Sequence, residues 1–286
     1  MGFTGDELKM PTIEISGTTH RYELSSADLS KPTLVFIHGW LLSRHYWQPL
    51  IERLSPHYCC LSYDLRGFGE SQPGTIPANH SLAAYAGDLI ILLEQLNIDS
   101  AWLVGHSLGG TIALWAAHEC GERVKGVICL NSGGGIYLKE EFERFRNAGE
   151  QILKQRPGWL PNVPLIDLVF ARMMVKQPLS REWGRQRVLD FVRADHDAAL
   201  GSLLESTTKS EVHLLPQIVN RLQQPVYFIA GKDDTVMELK YVKHLASFHH
   251  LFNSCNPNVV EIENCGHLAM IEQPAMVAQT IHRFLS

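Results

Sequence analysis

Hydrophobic and polar positions along the chain follow two alternating rhythms. Short, nearly continuous apolar runs rich in β-branched residues recur at Thr33–Ile37, Tyr58–Tyr63, Ala101–Val104, Val124–Leu130, Pro225–Ala230 and Val259–Ile262. That pattern predicts strands buried on both faces. Between them, Trp47–Leu54, Leu82–Leu96 and Thr111–Cys120 place apolar residues at helical spacing. Pro11–Leu24 alternates loosely and predicts an antiparallel hairpin. Strands that alternate with helices over so much of the chain imply an α/β fold of doubly wound type, a mostly parallel sheet with helices on both faces.

One interval breaks the rhythm. From about Gly133 to Leu215 no strand pattern appears, whereas Glu140–Arg146, Leu165–Val175 and Arg185–Arg193 read as helices, punctuated by Pro157, Pro161, Pro164 and Pro178. A helical insertion at that point would lie over the carboxyl edge of the sheet, where ligands bind in open α/β folds. The expected organisation is a core formed by residues 1–135 and 216–286, with a helical cap inserted at 136–215. A chain of 286 residues with 45% hydrophobic and 19% charged content is ample for such a domain.

Candidate chemistry centres on Gly105-His-Ser107-Leu-Gly109, which sits where an apolar strand gives way to a helix. In a G-x-S-x-G elbow the serine occupies the sharp strand-to-helix turn and exposes its hydroxyl above the sheet. A serine hydroxyl needs a base, an orienter for that base and donors for an oxyanion. His267, in the loop after the last strand, is the candidate base. Asp234, in the turn after the strand ending at Ala230, is the candidate orienter, with adjacent Asp233 as its competitor. Asn131, at the corresponding position after the preceding strand, carries no charge. The backbone amides of Leu108 and Trp40 are the candidate oxyanion donors.

These motifs together resemble the α/β-hydrolase superfamily, in its branch of serine esterases and C–C bond hydrolases with a helical cap. The matching pieces are His38-Gly-Trp40, Asp64-Leu-Arg-Gly-Phe-Gly-Glu-Ser71, Gly105–Gly110, Gly231-Lys-Asp-Asp234 and Gly266–Pro274. One departure is Met237, where many members carry a proline. The resemblance implies an acyl-enzyme mechanism on Ser107, Asp234 and His267 that needs no cofactor and no metal. A serine at the elbow disfavours the dehalogenase and epoxide-hydrolase chemistries associated with an aspartate there. The expected activity is hydrolysis of a carboxylic ester with an apolar acyl or alcohol group. Two alternatives stand beside it: a C–C bond hydrolase or menaquinone-pathway lyase using the same triad, and a ligand-binding receptor with a slow or vestigial one. Arg144, Arg146, Arg172, Arg181, Arg185 and Arg187 supply cations suited to the carboxylate-bearing substrates of the first alternative.

Charge and segment composition narrow the partners. A net charge of −5 with scattered basic residues gives no footprint for nucleic acid. The first residues show neither a basic nor an apolar targeting segment, and no apolar stretch approaches the ~18 residues of a membrane span. A cytoplasmic enzyme without an obligate protein partner is expected. The six cysteines, Cys59, Cys60, Cys120, Cys129, Cys255 and Cys265, read as buried thiols, and His249-His250 near Cys255 lacks a metal-ligand spacing. His38, His106, Asp64, Arg66 and Ser71 are expected to pack and brace loops. The apolar run Leu165–Met174, flanked by Trp159 and Trp183, either packs on the core or serves a lipophilic ester, as a pocket wall or as a peripheral membrane contact.

Overall fold

The computed structural model describes residues 11–26, 30–72, 74, 79–133, 139–254 and 258–286. The first ten residues, the expected boundary after residue 135 and Cys255 lie outside these. The strands are β1 (Thr12–Ile15), β2 (Thr18–Leu24), β3 (Thr33–Ile37), β4 (Cys59–Tyr63), β5 (Ala101–His106), β6 (Val124–Leu130), β7 (Val226–Gly231) and β8 (Val259–Ile262). They form one sheet in the order β1-β2-β4-β3-β5-β6-β7-β8, antiparallel at β1/β2 and β2/β4 and parallel elsewhere.

The continuous apolar runs have a simple cause in this sheet. Successive side chains of a strand point to opposite faces, and both faces are covered. Val35 and Ile37 of β3, Leu103 of β5 and Phe228 of β7 enter one core. Leu34, Phe36, Val104 and Ile229, their neighbours in sequence, enter the other. The first core is closed by α2 (Leu82–Gln95), α3 (Leu108–Glu119), α8 (Lys209–Arg221) and α9 (Leu239–Ala246), and the second by α1 (Gln48–Leu54), α10 (Ala269–Glu272) and α11 (Pro274–Leu285). Cys59, Cys60, Cys120, Cys129 and Cys265 are buried free thiols.

Between β6 and β7 the chain is helical: α4 (Lys139–Lys154), α5 (Ile166–Phe170), α6 (Arg181–Arg193), α7 (His196–Ser206) and α8. Two details differ from the sequence reading. The boundary expected at 215/216 falls inside α8, whose Leu215, Ile218 and Val219 belong to the first core. The helix expected over Leu165–Val175 is cut to the five residues of α5. Leu165 precedes it at φ 65° and Met174 follows at φ 60°, both left-handed conformations that a helix cannot contain. Arg187 of α6 also draws off the carbonyls of Phe170 and Met173.

Candidate active site

The sheet order creates the crevice. The chain leaves β3 for β4 on one side and returns to β5 on the other, so the loops after β3 and β5 diverge at the carboxyl edge, a topological switch point. Trp40 lies on the first loop and Ser107 directly follows β5.

Ser107 has φ 51° and ψ −118°, a conformation costly for any residue with a side chain and held here by its surroundings. A Cβ on Gly105 would lie 2.2 Å from the carbonyl oxygen of Gly109, and one on Gly109 would lie 2.1 Å from that of Ile37. Only glycine lets the strand and helix approach this closely. Ser107 donates its amide to Leu130 O at 3.0 Å, and Ser132 donates its hydroxyl to Ser107 O at 2.9 Å. The elbow is thus fastened to β6. Leu108 opens α3, where first-turn amides lack helical partners and the helix dipole is positive.

Across the crevice, His267 donates from Nδ1 to Asp234 Oδ2 at 2.8 Å, and both side chains are buried. This assignment of the ring proton follows from the carboxylate partner. Asp234 Oδ1 accepts the amides of Val236 at 2.8 Å and Met237 at 2.9 Å. Burial alone would raise the Asp234 carboxyl, but His267, the amide of Met237 and Asn131 outweigh it and hold the group below its ordinary range. Met237, despite replacing proline, supplies one of the stabilising amides. Asp233, the neighbour of Asp234, points away, to Lys176 Nζ at 2.8 Å.

A cavity of about 300 Å³ joins these parts, lined by Ser107, His267, Leu108 and Trp40. Its walls are otherwise largely apolar, with Leu42, Phe145, Ile152, Val236 and Met237 among them. Helices α4 and α7 contribute to the lining from above, and Trp40 Nε1 donates to Ala199 O of α7 at 2.9 Å. Arg187 also faces the cavity. It is buried, donates to backbone carbonyls, and forms no ion pair among the described residues; burial lowers its pKa.

Several positioning residues escaped the sequence reading. Asn131, itself left-handed at φ 48°, donates from Nδ2 to Asp234 Oδ2 at 2.9 Å and to Gly266 O at 3.1 Å. Glu272 accepts the amides of Gly266 and Leu268, on either side of His267, and that of Lys176 at 2.7 Å. The amide of His267 itself donates to Met174 O at 2.8 Å. An asparagine at the end of a strand facing an acid turn is the only signal that pointed to any of these.

The histidines and loop charges assigned structural roles have them. His38 accepts the amide of Leu65 at 2.9 Å on Nε2 and donates from Nδ1 to Gly39 O at 2.8 Å. His106 donates from Nε2 to His267 O at 2.8 Å, and burial, with His267 adjacent, lowers its pKa to about 3. Asp64 pairs with Arg44 at 2.6 Å, Arg66 with Asp88 at 3.4 Å, and Ser71 accepts the amide of Arg21 at 2.9 Å. His249 accepts the amide of Leu251 at 3.3 Å, a local capping contact.

Comparisons with known proteins agree with this fold. The model of the alpha/beta hydrolase fold family matches residues 32–172. The chain is 28% identical to the 2-succinyl-6-hydroxy-2,4-cyclohexadiene-1-carboxylate synthase of Salmonella typhimurium, covering 89% of this chain and 94% of that one. Among solved structures, a thermophilic esterase from Thermogutta terrifontis superposes with a TM-score of 0.74 at 25% identity, covering 96% of both chains. A hydrolase from Pseudomonas aeruginosa gives 0.76 at 22% identity, over 98% of this chain and 100% of that one. The chain belongs to the α/β-hydrolase superfamily.

Proposed function

We propose that this protein is a serine hydrolase that cleaves a carboxylic ester with an apolar acyl or alcohol group, and that α4–α7 form its cap. The observation that carries the reading is one cavity bounded by both Ser107, on its strained elbow, and His267, already oriented by Asp234. Engagement of Nδ1 by Asp234 leaves Nε2 as the nitrogen that serves Ser107. Ser107 Oγ attacks the carbonyl carbon as Nε2 takes its proton. The amides of Leu108 and Trp40 donate to the oxyanion. Collapse breaks the bond to the alcohol oxygen, which receives that proton from Nε2 and leaves the acyl group on Ser107. Water then attacks the acyl carbon by the same proton path and releases the acid and the free serine. The apolar walls support a hydrophobic acyl or alcohol group.

A second reading has one observation in its favour. Arg187 places a guanidinium without a carboxylate partner among the described residues at the cavity wall, which suits a carboxylate-bearing substrate of a C–C hydrolase or lyase. The 28% identity to a cyclohexadiene carboxylate synthase points the same way.

The deciding experiment compares wild type with Ser107→Ala, using aryl esters of graded chain length and a serine-directed phosphonate. The ester reading expects labelling of wild type alone and turnover that rises with chain length and falls at least about a thousandfold in the variant. Labelling without turnover of any ester overturns it in favour of the second reading or a receptor.

A further inference from the structure

The cap turns an apolar surface outward. Trp159 is 63% exposed, Leu165 60% and Val169 54%, with Leu165 and Val169 one helical turn apart at α5. Single exposed apolar residues are ordinary, but several large ones within one short segment mark an interaction surface. The left-handed conformations of Leu165 and Met174, uncommon for bulky side chains, bracket this outward-turned segment.

Charge identifies the partner. Residues 154–187 carry seven lysines and arginines against two acidic side chains, in a chain whose net charge is −5. Lys154, Arg172, Arg181 and Arg185 are exposed, as are Glu182 and Lys176, the latter paired with Asp233, whereas Asp167, which Arg181 and Arg185 meet, is buried. Exposed apolar residues in a segment with an excess of cations, on a chain of net charge −5, complement an anionic bilayer surface. No helix of the described residues is long and apolar enough to cross a membrane, so the contact is interfacial.

Exposed apolar residues also reach the cavity. Met174 and Ile152 are each 41% exposed and also line the space above Ser107. We propose that the outer face of α5 and its flanking turns docks on anionic lipid bilayers and opens the cavity mouth toward the acyl-chain region. The docking stands without the ester-hydrolase reading, since it is measured as binding; only the passage of a lipophilic ester to Ser107 rests on that reading.

The test is co-sedimentation of the full chain with phosphatidylcholine vesicles with and without phosphatidylglycerol. Wild type binds the anionic vesicles, less so at high salt, and binds phosphatidylcholine alone at least about tenfold more weakly. Combining Trp159→Ser, Leu165→Ser and Val169→Ser, none of which lines the cavity, lowers binding at least about tenfold while thermal unfolding stays cooperative. Arg172→Gln with Arg185→Gln removes the preference for phosphatidylglycerol. Wild type that ignores both vesicles, or a triple variant that binds like wild type, overturns the proposal. So does a wild-type dimer in sedimentation velocity that the triple variant dissolves while neither protein binds vesicles, which would assign the patch to a second copy of the chain.

Discussion

Asn131 donates to Oδ2 of Asp234 at 2.9 Å, the same oxygen that accepts Nδ1 of His267. The carboxylate is therefore held from the sheet side as well as from its own turn, and its rotation is fixed before any substrate arrives. Asn131→Ala is expected to lower kcat by about 10- to 100-fold, the worth of a hydrogen bond to a charged group, with little change in KM. Asn131→Asp should be worse than alanine, because a second carboxylate beside Asp234 repels it. Steady-state kinetics of both variants across pH check the ordering.

Asp234 and Asp233 are neighbours with unrelated surroundings, and exchanging each for asparagine separates their roles. Asp234→Asn should cost roughly a thousandfold or more in kcat, through loss of the anion that holds the histidine tautomer. Asp233→Asn should stay within about threefold of wild type, since its contact is a partly exposed ion pair with Lys176. Equal losses in the two variants would contradict the assignment.

Glu272 gathers amides from Gly266, Leu268 and Lys176. Its replacement by alanine leaves these donors without their acceptor and should destabilise the protein by about 1–3 kcal/mol. Urea unfolding monitored by circular dichroism reads this directly. The same variant should lose activity at temperatures well below its unfolding midpoint, because the loop that seats His267 loosens first.

Asp190 of α6 is buried, accepts Ser43 Oγ at 2.9 Å, and burial pushes its pKa up to about 7. Its folded value lies above the ~3.9 of an unfolded aspartate. Between those values the unfolded chain has released a proton that the folded protein keeps, so stability falls as pH rises through this window and levels off above about 7. Asp190→Asn removes that slope. The variant should gain on wild type by a few kcal/mol, order of magnitude, between pH 4 and pH 8. Urea midpoints at several pH values test it, and parallel curves for the two proteins would refute it.

The fold was legible because burial on both faces turns parallel strands into uninterrupted apolar runs. Thr33–Ile37 needs no partner in sequence to announce itself. Ser107 was legible for a local reason too, since the glycines that permit its turn lie within two residues of it. The supporting contacts were not. Asn131 and Asp234 are 103 positions apart, and Glu272 meets Lys176 across 96. Apart from the asparagine's place at a strand end, nothing in these residues marks such a meeting. The shortened α5 was hidden for another reason: its apolar content reads as a helix, and the left-handed backbone at Leu165 and Met174 has no glycine or asparagine to signal it.

The amide of His267 is bonded to the carbonyl of Met174, and Glu272 ties the same loop to Lys176. The roof and the base are thus stitched along one seam. Lifting the Met174 segment would pull on the loop that seats His267, so an opening on that side and an imidazole held by Asp234 exclude each other.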